Sequence, residues 1–319
     1  QKLQMVTQEG KNVGVCAVRG NFDDAQSGVK RIFSDAQLRE ELAARGYFLS
    51  SANSINWGRV LPQIVYYVSS YCDLLAQGAV REGDKINVCV PTGNFGNILA
   101  GFYAKNMGVP IAKLICASNE NNVLTDFIST GTYDRNRPFY QTASPSMDIL
   151  ISSNLERLLS LLSGSDAAVR GYMQSLAETG KYTVSEDVFA AVRQNFACGF
   201  CTDARGAETI ARMLREHDYL MDTHTAVAYT VLNDYREKTG DTALTVVEST
   251  ASPFKFCTSV LSALGVTEHK KGTEVLAQLT DATGRAAPKP LASLAGRTPR
   301  FCEVEDKTAM EAVVREFLR

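Results

Sequence analysis

The sequence predicts an α/β protein built on a parallel sheet, and three observations carry that prediction. Two short, mainly apolar runs, Ile86–Val90 and Ile111–Ala117, have the length of strands buried on both faces. Between them lie a glycine turn, Pro91-Thr-Gly-Asn-Phe-Gly-Asn97, and a segment with helical spacing, Ile98–Lys105. Strand, helix and strand at this spacing require a right-handed crossover between parallel neighbours. Leu244–Thr250 reads as a further buried strand, which leads to Pro253 at a helix start and repeats the strand-to-helix turn.

The remaining elements follow in chain order. Gln1–Gln8 reads as the end of a helix stopped by Gly10. Asn12–Val18 reads as a strand, and Gly20–Asp24 as a turn whose Asp23 or Asp24 caps a helix running to Phe33. Asp35–Arg45 reads as a second helix and Tyr47–Ser50 as a short strand. A long helix is expected from about Arg59 to Gln77, with Pro62 near its first turn and Gly78 as its stop. Ser153–Gly164, Ser165–Gly180 and Ser185–Gly199 each open on serine and close on glycine, so they read as three helices. Together they make about 150–220 a helical insertion on the α/β core. Two more helices, Asp203–Glu216 and Thr223–Lys238, follow. Beyond Gly284 a Pro- and Ala-rich connection leads to an amphipathic helix, Lys307–Arg319. The expected organisation is a smaller unit of 1–55 and a larger one of 56–319.

With 319 residues, 45% of them hydrophobic and 21% charged, the chain can build two domains and a large core. A net charge of -2 leaves no basic field for nucleic acid and no polybasic patch for a membrane surface. No apolar stretch approaches the roughly 20 residues of a membrane span. Of eight cysteines, Cys16, Cys89 and Cys116 sit inside apolar runs and read as buried free thiols of a reducing compartment. A cytoplasmic location is the corresponding expectation. Cys198-Gly-Phe-Cys201 lacks a second pair and a nearby histidine, and His217 and His224 lack a third ligand, so no metal is expected.

Three segments could carry chemistry. The Pro91–Asn97 loop puts backbone N–H groups around one point at the positive end of a helix dipole, which suits a phosphate. It matches neither GxxxxGK[ST] nor GxGxxG. Ser51-Ala-Asn-Ser-Ile-Asn-Trp-Gly-Arg59 offers Asn53, Ser54, Asn56 and Arg59, neutral donors plus one guanidinium for an anion. Glu248-Ser-Thr-Ala-Ser-Pro-Phe-Lys-Phe256 offers a hydroxyl, Thr250, at the same carboxyl edge of the sheet. Each segment also has a plain structural reading. The loop can be a bare tight turn, while Ser54 or Asn56 and Ser252 can serve as helix caps.

As a set, GNFGN, SANSIN-x-x-R and ESTASP-x-KF resemble threonine synthase, a pyridoxal-phosphate enzyme of the tryptophan-synthase-β structural class. Collinear support comes from Gln4–Thr7, Val18–Gln26, Gln63–Tyr67, Ser144–Asp148, Ser153–Arg157, Thr202–Ala204 and His224–Val227, and the resemblance ends near residue 260. It implies a partial three-layer parallel-sheet core. It implies that Gly93, Asn94, Phe95, Gly96 and Asn97 hold the phosphate of pyridoxal 5'-phosphate and that Thr250 faces its pyridine nitrogen. Asn53, Ser54 and Arg59 would hold the phosphate of O-phosphohomoserine, which the family converts with water to threonine and phosphate.

Two family motifs have no counterpart here. One is the F-x-E-G-P-T-x-A-F-K-D segment with the Schiff-base lysine; the other is the SGDTG loop. Lys105 and Lys255 lie on other motifs. The resemblance therefore implies a carboxyl-terminal portion with no catalytic residue of its own. The lysine is expected upstream of Gln1, and the missing amino-terminal segment is the expected partner. A non-catalytic phospho-ligand binder of the same fold, and a lyase acting on another phosphorylated amino acid, are the alternative readings.

Overall fold

A computed structural model describes residues 2–20, 22–52 and 54–318. The chain forms two compact units, one of residues 52–269 and one joining 1–51 to 270–319. The grouping differs from the expected 1–55 and 56–319, because the last fifty residues pack with the first fifty. Val304–Asp306 pairs in parallel with Ala17–Arg19. Met310, Val314 and Leu318 of the closing helix (Met310–Phe317) pack on Ile32, Leu38 and Leu42. Such long-range pairing leaves no local signal.

Within this unit the helices Phe22–Ser34 and Ala36–Ala44 lie close to expectation, and Asp35 caps the second by accepting from the Leu38 N–H at 2.9 Å. Three readings are corrected. The first helix begins at Phe22, ahead of both proposed caps, and Asp24 instead pairs with Lys307 Nζ at 3.0 Å. The strand at Asn12–Val18 shrinks to Ala17–Arg19, and Tyr47–Ser50 is not a strand, since only the former finds a partner.

The larger unit is built on four parallel strands, Ile86–Pro91, Ile111–Ser118, Phe196–Phe200 and Thr245–Val247. Their spatial order is 196–200, 111–118, 86–91, 245–247. Side chains alternate between two cores, as the period of two in a strand demands. Val88, Val90, Leu114, Cys116 and Phe196 face a core shared with Tyr67 of the helix Ile64–Ala76 and Phe102 of the helix Gly96–Asn106. Cys89, Ile115 and Ala117 face Val227, Ala228 and Val231 of the helix Thr223–Thr239. The sheet is thus covered on both sides, a three-layer α/β arrangement. The long helix expected from Arg59 is broken by a 3-10 turn at Leu61–Gln63, where Pro62 sits. Among the described residues no helix is long and apolar enough to cross a membrane.

The helical insertion needs the largest correction. The helices Leu155–Ser163, Asp166–Thr179 and Glu186–Asn195 are present, but 196–200 is an edge strand of the central sheet. Gly199 does not end a helix. It lies where the 223–239 helix approaches the sheet, and a Cβ there would stand 2.9 Å from Val231 Cγ1. Cys89 and Cys116 are fully buried as expected, whereas Cys16 is only half-buried.

Gly199→Ala should therefore destabilise the fold by about 1–3 kcal/mol, because stiff, buried Val231 cannot give way freely. Urea denaturation would measure it. Adding Val231→Ala should make the new methyl group cost less than it does alone.

Candidate functional site at the carboxyl edge of the sheet

From strand 86–91 the chain first builds the sheet to one side, through 111–118 to 196–200. It then returns to place 245–247 on the other side. That reversal is a topological switch point, where successive connections leave in opposite directions and open a crevice at the carboxyl edge. The Gly93–Asn97 loop leaves one side of this crevice and Thr250 follows the strand on the other. The register pairs Cys89 with Val247, and the Glu248 N–H donates to the Cys89 carbonyl at 3.0 Å, so the two loops start level.

Phe95 stands at φ 61°, one of two non-glycine residues with positive φ among those described. A bulky side chain in that region is strained and persists only where its surroundings over-determine it. The Phe95 ring is 1% exposed and packs 5.6 Å from the Phe196 ring, which holds it there. The turn delivers the chain into the 96–106 helix with no side-chain cap. The first-turn N–H groups of Gly96, Asn97 and Ile98 make no hydrogen bond among the described residues. Three unpaired donors at a largely buried helix start fit a phosphate.

Asn154, which carries no exposed surface, ties the loop to the segment before it. Its Nδ2 donates to Ser54 Oγ at 2.9 Å and to the Asn94 carbonyl at 2.8 Å, and its backbone N–H donates to that same carbonyl at 3.2 Å. Arg157 Nη1 donates to Asn154 Oδ1 at 2.7 Å and to the Ser54 carbonyl at 3.3 Å. Ser152 Oγ donates to the Gly93 carbonyl at 2.8 Å. The loop carbonyls are thereby occupied and its amides left free.

The family model described as "Threonine synthase, C-terminal" matches residues 225–315. Human threonine synthase-like 1 is 43% identical over 271 residues, covering 84% of this chain and 36% of the relative. Threonine synthase of Schizosaccharomyces pombe is 36% identical over 299 residues, covering 86% of this chain and 57% of the relative. The structure of pyridoxal-phosphate-bound threonine synthase from Brucella melitensis aligns with a TM-score of 0.82 at 39% identity. It covers 99% of this chain and 62% of the other. Over almost its full length the chain is similar to threonine synthases. It corresponds to their carboxyl-terminal part and spans 36% to 62% of these relatives' length. Pyridoxal phosphate is the cofactor of this family, and the unpaired amides at 96–98 fit its phosphate.

Against this family frame, the structure brings Ser54 to the loop through Asn154. Asn53 lies outside the described residues. Arg59 is exposed, and its Nη1 donates to the Ala52 carbonyl at 2.8 Å. Asn56 caps the Trp57–Val60 helix, accepting from the Gly58 N–H at 2.9 Å. Asn97 Oδ1 accepts from the Tyr67 hydroxyl at 2.6 Å, so its side chain is engaged in the core while its backbone amide stays unpaired. Thr250 is exposed. Ser252 caps the following turn through the Phe254 N–H at 3.3 Å, as expected. Asn154 and Arg157 escaped sequence reasoning although the Ser153–Arg157 stretch was noticed. Nothing local in the sequence marks either residue, because the burial of Asn154 and its partners at Ser54 and Asn94 arise only in the fold. Among the described residues no group of three or more histidine, cysteine or acidic side chains is placed to hold a metal.

Glu248 begins the ESTASP segment. Its Oε1 is buried with no hydrogen-bond partner, and burial pushes its carboxyl above the ordinary value. For an acid with a raised folded pKa, the stabilisation is full below the unfolded value and is lost as pH rises through the folded one. Glu248→Gln should therefore gain stability relative to the parent as pH moves from mildly acidic to mildly alkaline, read from urea midpoints. Asn154→Ala strands the polar groups it served and should cost about 1–3 kcal/mol in the same assay.

Proposed function

We propose that this chain forms the phosphate-binding part of a pyridoxal-phosphate enzyme that converts O-phosphohomoserine and water to threonine and phosphate. The observation that carries the reading is the set of three unpaired amides, Gly96 to Ile98, beneath the strained Phe95 turn at the switch point. In this reading the Gly93–Asn97 backbone holds the cofactor phosphate by N–H donors and the helix dipole. Thr250 meets the pyridine nitrogen with a neutral hydroxyl, which hydrogen-bonds without forcing a proton onto it. Bound there, the cofactor supplies an electron sink for charge developing on the substrate's carbon chain. Asn53, Ser54 and Arg59 hold the substrate phosphate, and Arg59 exchanges its carbonyl partner for a dianion that it binds far more strongly. Phosphate leaves the γ carbon and water adds at the β carbon, which balances the overall reaction. We place the lysine that anchors the cofactor in the part of the protein outside residues 1–319.

A second reading is a lyase that releases phosphate from a phosphorylated amino acid without forming threonine. It draws on the higher identity to threonine synthase-like 1, 43% against 36% for the fission-yeast threonine synthase.

The deciding experiment incubates the full-length protein with O-phosphohomoserine and follows inorganic phosphate and the organic product by mass spectrometry. Threonine in step with phosphate is expected. Phosphate with a 2-oxo acid would favour the second reading, and no phosphate release would overturn both. Arg59→Gln should raise KM about 10- to 100-fold, in line with loss of a charge-assisted hydrogen bond. Its effect on kcat should be smaller.

A further inference from the structure

Gly93 is seated directly against the backbone of another segment. A Cβ at Gly93 would stand 2.9 Å from the Ser146 carbonyl oxygen and 3.1 Å from Met147 Cα. The 3-10 turn Pro145–Met147 is therefore the surface on which the phosphate loop rests. That turn is pinned at both ends. On one side Asn119, at the end of strand 111–118, donates from Nδ2 to Asp148 Oδ1 at 2.8 Å and to Ser144 Oγ at 3.1 Å. On the other, the Ser146 N–H donates to His224 Nε2 at 3.2 Å.

His224 is 2% exposed and Asp222 0%. Because Nε2 accepts from a backbone N–H, it carries no proton. The single imidazole proton then sits on Nδ1 and is donated to Asp222 Oδ1 at 3.1 Å, so His224 is neutral. Burial opposes the charge on Asp222, but bonds from His224 and Thr225 outweigh it and hold its carboxyl below the ordinary value. Asp222 is also the N-cap of the 223–239 helix, whose positive end favours a carboxylate. The Phe256 ring, 4.8 Å from the imidazole, closes the far side. His224 is thus held in one tautomer and one orientation, with its only free valence aimed at Ser146.

We propose that the buried Asp222–His224 pair is a positioning device for the phosphate loop, acting through Ser146 on Gly93. Its hydrogen bonds reach the turn and not the loop. It fixes the height of the turn on which the loop is seated, and with it the direction of the amides at 96–98. The link to cofactor binding rests on the function proposed above; the mechanical link does not.

The test contrasts two near-isosteric variants. Asparagine ends where Nδ1 stands and keeps the contact with Asp222, whereas glutamine reaches the Nε2 position and can accept from Ser146. Amide hydrogen exchange is read at Leu99 and Asn154, whose N–H groups donate to the loop carbonyls of Phe95 and Asn94. His224→Asn should speed both about tenfold, the loss of one hydrogen bond and the stranding of its donor. His224→Gln should restore them to within about twofold of the parent on the same basis. Gly93→Ala reaches the same contact from the other side and should also speed exchange. Combined with His224→Asn, it should add less than its single effect, because the released turn can move off the new methyl group. Unchanged exchange in His224→Asn, equal effects of the two histidine variants, or strict additivity with Gly93→Ala would each overturn the device. Titrating the same proteins with pyridoxal phosphate separates the two claims. Binding by the parent that weakens in parallel with loop exchange supports both, and a parent that does not bind sinks the cofactor assignment alone.

Discussion

The Asn154 amide donates at once to Ser54 Oγ and the Asn94 carbonyl, while Arg157 donates to its Oδ1. These bonds lie in a fully buried position, where each lost partner would leave a polar group with no water to replace it. They join three stretches far apart in sequence: the segment after Ala52, the loop after strand 86–91, and the start of the 155–163 helix. They occupy the Asn94 carbonyl, as Ser152 Oγ occupies that of Gly93, and leave the amides at 96–98 as the available polarity. A site that prefers anions follows from that asymmetry, with the helix dipole adding to it.

The loop also stores strain. Phe95 sits at positive φ without being glycine, and the packing of its ring on Phe196 maintains it. Strand 196–200 therefore has two duties: it is the edge of the sheet and the wall against which the loop is wound. The turn at Pro145–Met147 supplies the floor. Wall and floor together set where the amides at 96–98 point. Preorganisation of this kind lets a backbone cradle bind an anion without ordering itself at the moment of binding.

Much of this was legible in the chain. The strands at 86–91 and 111–118 announced themselves as short apolar runs, and GNFGN between them as a phosphate-suited turn. Ser252 as a cap, and the helices after Thr202 and Asp222, followed from local chemistry. Strand 196–200 was not legible. Phe196-Ala-Cys-Gly-Phe200 continues a helical segment, and Gly199 looks like a helix stop until Val231 is seen pressed against it. Nor does the sequence show that the side chain of Asn97, within the loop, is turned to Tyr67. Asn154 looked like one polar residue among several.

The sequence by itself determined the α/β class, the parallel crossover, the position of the GNFGN turn and the family likeness, because these rest on local periodicity, turn chemistry and motif order. Only the tertiary structure decided that residues 270–319 pack with the first fifty, that the sheet reverses beside strand 86–91, and that Asn154 and His224 govern the loop from a distance. Those features depend on contacts between residues up to nearly three hundred positions apart. A hydrogen bond or packing contact of that kind has no period and no neighbouring cap to betray it. The feature first seen as seven residues that could hold a phosphate thus gained its wall, floor and ties only when the chain was folded.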